Sequence, residues 1–84
     1  MMKITFKLFA TLSDYLPPQR QGNELTLELP EESTIDQVVD RFQLPKKLVH
    51  LVLVNGHYIS AENRSQHLLK DGDVLAIWPP VAGG

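Results

Sequence analysis

Thr34-Ile35-Asp36-Gln37-Val38-Val39-Asp40-Arg41-Phe42 carries the clearest helix signal in the chain, and its place between two sets of strands decides the fold. Thr34 suits an N-cap, Gln37 three residues on completes a capping box, and Asp36 lies in the first turn, where the helix dipole favours an acid. Ser33 is an alternative cap one residue earlier. Ile35, Val38, Val39 and Phe42 fall at i, i+3, i+4 and i+7, so one stripe is apolar. Pro45 bars continuation and leaves two to three turns. A helix of that length does not hold alone in water; it must pack on a sheet.

The flanking sequence supplies the sheet. Upstream, Lys3 to Phe9 alternates, with Ile4, Phe6 and Leu8 on one face and Lys3, Thr5 and Lys7 on the other. Ala10 to Leu16 is open between loop and a short helical turn lined by Leu12, Tyr15 and Leu16. Pro17-Pro18 and the polar run to Asn23 close it. Glu24 to Leu29 alternates again, with Leu25, Leu27 and Leu29 inward, and Pro30 stops it. Downstream, Leu48 to Val54 is apolar on both faces, as a central strand would be. Asn55-Gly56 predicts a type I′ hairpin turn that returns the chain through His57-Tyr58-Ile59. Ala61 to His67 reads as loop, Leu68-Leu69 as an anchor, Lys70-Asp71-Gly72-Asp73 as a turn, and Val74 to Trp78 as the last strand. The order β-β-α-β-β-β lets one helix cover one sheet face, an α+β arrangement. Strands one and five lie side by side and parallel in a β-grasp (ubiquitin-like) fold, with a mixed sheet of four to five strands.

Bulk properties narrow the class. The 84 residues suit one small domain, read as residues 1–78 with an extended tail over 79–84. A net charge of −2 without a basic stripe argues against a nucleic-acid surface. There is no apolar run near membrane-spanning length and no signal-peptide core, so a cytoplasmic protein away from membranes is expected. With no cysteine, thiolate metal sites and a cysteine nucleophile are excluded.

The tail itself is Pro79-Pro80-Val81-Ala82-Gly83-Gly84. Two prolines end the strand and carry the chain outward in a semi-stiff extended form. Side chains then only shrink. A tip without Cβ atoms can enter a slot closed to other residues, and six extended residues reach roughly 20 Å.

Several of these stretches resemble the MoaD/ThiS family of ubiquitin-like sulfur carriers. They are Phe9-Ala10, Val54-Asn55-Gly56, Leu69-Lys70-Asp71-Gly72-Asp73 and the Pro79 to Gly84 ending. The ending is similar to the molybdopterin branch, the small subunit of molybdopterin synthase. The middle, Leu44-Pro45 through Val54-Asn55-Gly56, looks like the thiamine branch, with its short link between helix and third strand. The resemblance implies that a ubiquitin-activating-type enzyme adenylates Gly84 with ATP, with Gly83 beside it, and that a sulfur donor converts the acyl-adenylate to a thiocarboxylate. It implies no bound cofactor on this chain. It also implies a second partner, the large subunit of molybdopterin synthase or an equivalent acceptor, which positions the sulfur against a cyclic pyranopterin precursor. Three alternatives stay open: a thiamine thiazole pathway, a ubiquitin-like modifier that joins Gly84 to a lysine amine, and a binding module with an inert tail.

The expected partner surface follows from strand alternation. If Leu75 and Ile77 face the helix, Val74, Ala76 and Trp78 face the other way. Tryptophan beside the tail reads as an interface anchor. Trp78, Pro79, Pro80, Val81, Ala82, Val74, Ala76 and Phe9 are therefore the candidate partner residues, with Val52 or Val54 extending the patch. Other constellations are weaker. His50, His57 and His67 lack metal-ligand spacing. Asp71-Gly72-Asp73 is too short for a calcium loop, and Ser13, Ser33 and Ser60 sit in no nucleophile elbow.

Overall fold

The computed structural model describes residues 1–80. Its sheet comprises β1 (Met2–Leu8), β2 (Glu24–Leu29), β3 (Leu51–Val54), β4 (His57–Tyr58) and β5 (Val74–Trp78), in spatial order β2-β1-β5-β3-β4. β1 and β5 run parallel, with Thr5 opposite Val74 and Leu8 opposite Ile77. The other three pairings are antiparallel. With the helix α1 (Ile35–Arg41) on one face, this mixed five-stranded sheet is the expected β-grasp fold.

Period-two alternation places the core. Ile4, Phe6 and Leu8 of β1, Leu27 and Leu29 of β2, Val52 and Val54 of β3, and Leu75 and Ile77 of β5 are buried on the helix side. Ile35, Val38 and Val39 of α1 close over them. Phe42, just past the helix, brings its ring to 5.1 Å from that of Phe6. Burying each such large side chain contributes about 1.5–3 kcal/mol, which is how a seven-residue helix persists.

Both helix ends are closed by sequence. Thr34 Oγ1 accepts from the Gln37 N–H at 3.2 Å, and Gln37 Oε1 accepts from the Thr34 N–H at 2.9 Å, completing the capping box. At the other end the Leu44 N–H donates to the Val39 carbonyl and the Gln43 N–H to the Asp40 carbonyl. That is the Schellman pattern, in which Gln43, at φ 56°, stands where glycine usually does.

The differences from expectation have local causes. β3 begins at Leu51 rather than Leu48, because Pro45 starts a 3-10 turn over Lys46–Leu48. The carbonyls of Val49 and His50 are then taken by the Arg64 guanidinium, not by a neighbouring strand. The open stretch after β1 is a 3-10 turn over Ala10–Tyr15, with Leu12 and Leu16 buried and Tyr15 left outside. The Asn55-Gly56 turn forms as predicted, with both residues at positive φ.

Candidate functional site

The face of the sheet opposite α1 divides into two halves. On β1 and β2 it carries Lys3, Thr5, Lys7, Glu24, Thr26 and Glu28. On β3, β4 and β5 it is apolar. Cross-strand register sets Tyr58 beside Leu53, Leu53 beside Ala76, and Leu51 beside Trp78. Tyr58 is 60% exposed, while Leu51, Leu53, Val74 and Trp78 are half-buried. None of these five residues belongs to the buried core cluster.

At the end of β5 the site gathers. Leu8 pairs with Ile77, so Phe9, the residue that follows β1, stands beside Trp78. Their rings stack, centroids 4.1 Å apart and planes 6° apart. Phe9 stays extended (φ −108°, ψ 156°) and its N–H donates to the Ile77 carbonyl at 3.1 Å. Ala10 then turns the chain away at φ 54°, a conformation that costs a non-glycine residue about 1 kcal/mol or more and fixes where the Phe9 ring lies. On the other side the His50 N–H donates to the Trp78 carbonyl at 3.1 Å. These are the last ladder bonds of β5. Pro79 and Pro80 have no N–H to continue it, and they pass from half-buried to exposed beside the stacked pair.

The start of β5 is fastened differently. Asp73, 8% exposed, accepts from the Lys70 N–H and from Asn55 Nδ2, each at 2.9 Å. Asn55 Oδ1 accepts in turn from the Val74 N–H at 2.9 Å. The hairpin turn and the turn before β5 thus form one network, which anchors the start of β5.

Val74, Ala76 and Trp78 share the face opposite α1, with Ala76, at 7% exposed, its most buried member. At the Trp78 end Phe9 stacks on the indole just before Pro79 and Pro80; Val74 lies at the other end of the strand. The expectation for Val52 and Val54 is corrected. Both are buried on the helix side, at 0% and 5% exposed, and Leu51 and Leu53 take their place. In a run apolar on both faces, alternation cannot say which parity faces out; the Trp78 pairing does. The sequence reading also missed Tyr58, whose partner Leu53 puts it on the same row. The expectations for Val81, Ala82, Gly83 and Gly84 lie outside the described residues. Among those residues, no group of three His, Cys, Asp or Glu side chains is placed to hold a metal ion, and no helix is long and apolar enough to cross a membrane.

A β-grasp sheet with one helix, an apolar open face and a proline-stiffened chain leaving beside a Phe–Trp stack defines the ubiquitin-like β-grasp class. Within that class the chain belongs to the ThiS family, of the MoaD/ThiS ubiquitin-like sulfur carriers, which it matches over residues 6–84. It is 33% identical over 78 residues to a molybdopterin synthase sulfur carrier subunit of Drosophila ananassae, spanning 90% of this chain and 84% of that one. The protein of the same name from Drosophila melanogaster is 42% identical over 65 residues, 70% of either chain. Among solved structures, a Haloferax volcanii protein superposes with a TM-score of 0.76 at 24% identity, covering 99% of this chain and 87% of that one. A chain from the Helicobacter pylori complex of subunits 1 and 2 of molybdopterin-converting factor superposes at 0.60 and 24% identity, over 99% and 100%.

Proposed function

We propose that this chain carries sulfur as a thiocarboxylate on Gly84 and delivers it in molybdopterin biosynthesis, as the small subunit of a synthase-type complex in the cytoplasm. Residues 1–78 are the platform and 79–84 the working arm. One observation carries the reading: β5 gives up its last ladder bonds at Ile77 and Trp78, and the chain leaves through Pro79 and Pro80 beside the Phe9–Trp78 stack. A partner seated on the apolar face would thereby receive the arm in a fixed direction. The names of the fruit-fly relatives and the two-subunit Helicobacter complex support a larger second subunit as acceptor.

The chemistry follows from the carboxylate. As a resonance-stabilised anion it resists attack, so it must first be activated. A carboxylate oxygen attacks the α-phosphorus of ATP in a ubiquitin-activating-type enzyme, pyrophosphate leaves, and an acyl-adenylate forms. A sulfide-level sulfur donor (hydrosulfide) then attacks the acyl carbon, and the acyl–phosphate C–O bond breaks with AMP leaving. Loss of the S–H proton gives a thiocarboxylate whose sulfur is softer and more nucleophilic than the oxygen it replaced. Acid–base groups and oxyanion donors come from the partners, and proximity in their pockets supplies the rate. The chain binds no cofactor of its own; ATP belongs to the activating step. Val81 and Ala82 span the slot, and Gly83 and Gly84 fit its narrow end.

A second acceptor, a thiamine thiazole pathway, draws support from the link between α1 and β3. That link holds only the 3-10 turn Lys46–Leu48, the compact middle that the thiamine branch shares. The activation step is tested by pyrophosphate exchange: with activating enzyme and labelled pyrophosphate, label should enter ATP only when this chain is present. No chain-dependent exchange would contradict the proposal.

A further inference from the structure

Arg64, at the end of the 3-10 turn Ala61–Asn63, is a cation only 8% exposed. Its Nη1 donates to the Val49 carbonyl at 3.2 Å and its Nη2 to the His50 carbonyl at 3.1 Å. Among the described residues it joins no ion pair, and its Nε has no hydrogen-bond partner. Burying a guanidinium against neutral acceptors costs more desolvation than a neutral donor would. The charge itself is therefore the feature to explain.

The peptide that Arg64 grips supplies the explanation. The unit joining Val49 to His50 accepts from Arg64 at its carbonyl and donates, through the His50 N–H, to the carbonyl of Trp78. A cation at the head of such a chain polarises the peptide and strengthens the bond beyond it. The Trp78 carbonyl belongs to the amide with Pro79. It is the last carbonyl of β5, and its direction sets the direction in which the two prolines leave the sheet.

We infer that Arg64 is a positioning residue for the departing arm, acting through the Val49–His50 peptide on the Trp78 carbonyl. The consequence for sulfur loading rests on the proposed carrier role; the hydrogen-bond relay does not. Among the described residues the Arg64 guanidinium bonds only to the Val49 and His50 carbonyls, away from Tyr58, Leu53 and Trp78, so its loss misaims the arm without weakening the docking of the platform.

Two variants test this. Arg64→Met retains an unbranched stem and removes the guanidinium, and Arg64→Lys retains the charge without the planar fork that spans two carbonyls. In Arg64→Met the His50 amide proton should move upfield and exchange faster, while the β1–β2 amides keep their shifts. With activating enzyme, ATP and a sulfur donor, kcat for thiocarboxylation should fall about tenfold at an unchanged KM for the chain, equivalent to about 1.4 kcal/mol of barrier. Arg64→Lys should restore part of both. An unmoved His50 resonance, or a raised KM with kcat intact, would overturn the inference. If the wild-type chain takes up no sulfur, the carrier reading fails on its own account and the His50 resonance still decides the relay. Should Arg64→Met not fold, Arg64→Lys carries the same readouts, with a smaller upfield move expected and no move counting against the relay.

Discussion

Phe9, just past the end of β1, and Trp78, at the end of β5, stack with ring centroids 4.1 Å apart and planes 6° apart, and the chain leaves the sheet beside them. Aromatic pairs of this kind contribute about 0.5–1.5 kcal/mol beyond their buried area. A double-mutant cycle of Phe9→Leu and Trp78→Leu on unfolding free energy should return a coupling in that range. The same substitutions should weaken binding to the activating enzyme, Trp78→Leu by about 2 kcal/mol if it is an interface anchor. Calorimetric titration checks this, and unchanged affinity would remove the apolar face from the account.

Asp73 and Asn55 tie two turns together, and the pair is half shielded from water. Asp73→Ala strands the Lys70 N–H and the Asn55 amide, so about 1–3 kcal/mol of stability should be lost. Urea unfolding measures it. A loss within error would mean that solvent replaces the carboxylate freely.

Helix α1 depends on its ends because it has only seven residues. Thr34→Ala should cost about 1 kcal/mol by removing the side-chain acceptor of the Gln37 N–H. In a domain of this size that shifts Tm down by roughly 4–8 °C.

Gln43 offers the opposite sign. It occupies the left-handed position of a Schellman cap, at φ 56°. Gln43→Gly relieves that strain, partly offset by the greater freedom of glycine in the unfolded chain, and should raise stability by about 0.5–1 kcal/mol. A lowered Tm would show that the Gln43 side chain contributes more than its backbone costs.

The fold was readable because local signals agreed with one another. Thr34 and Gln37 announced the helix, Asn55-Gly56 the hairpin, and the alternations around Phe6, Leu27 and Leu75 the buried face. The site was readable where sequence breaks a pattern, at Trp78 followed by two prolines. What stayed hidden depends on contacts distant in sequence. The outward parity of β3 is set by Leu51 lying opposite Trp78, and an unbroken apolar run carries no trace of it. Arg64 looked like one polar residue in a polar loop; its role exists only because Val49 and His50 come to it in space. Asn55 and Asp73 were each legible as turn residues, but their pairing was not.

Gly84 is the most direct point of attack on the carrier reading. The measurement is intact mass of the chain after incubation with a ubiquitin-activating-type enzyme, ATP and a sulfur donor, with Gly84→Ala as the control. The account predicts a gain equal to one sulfur less one oxygen, located at Gly84 by fragmentation and lost in the variant, whose unfolding curve matches the wild type. An unchanged mass, or a lysine isopeptide adduct without any thiocarboxylate, would contradict it.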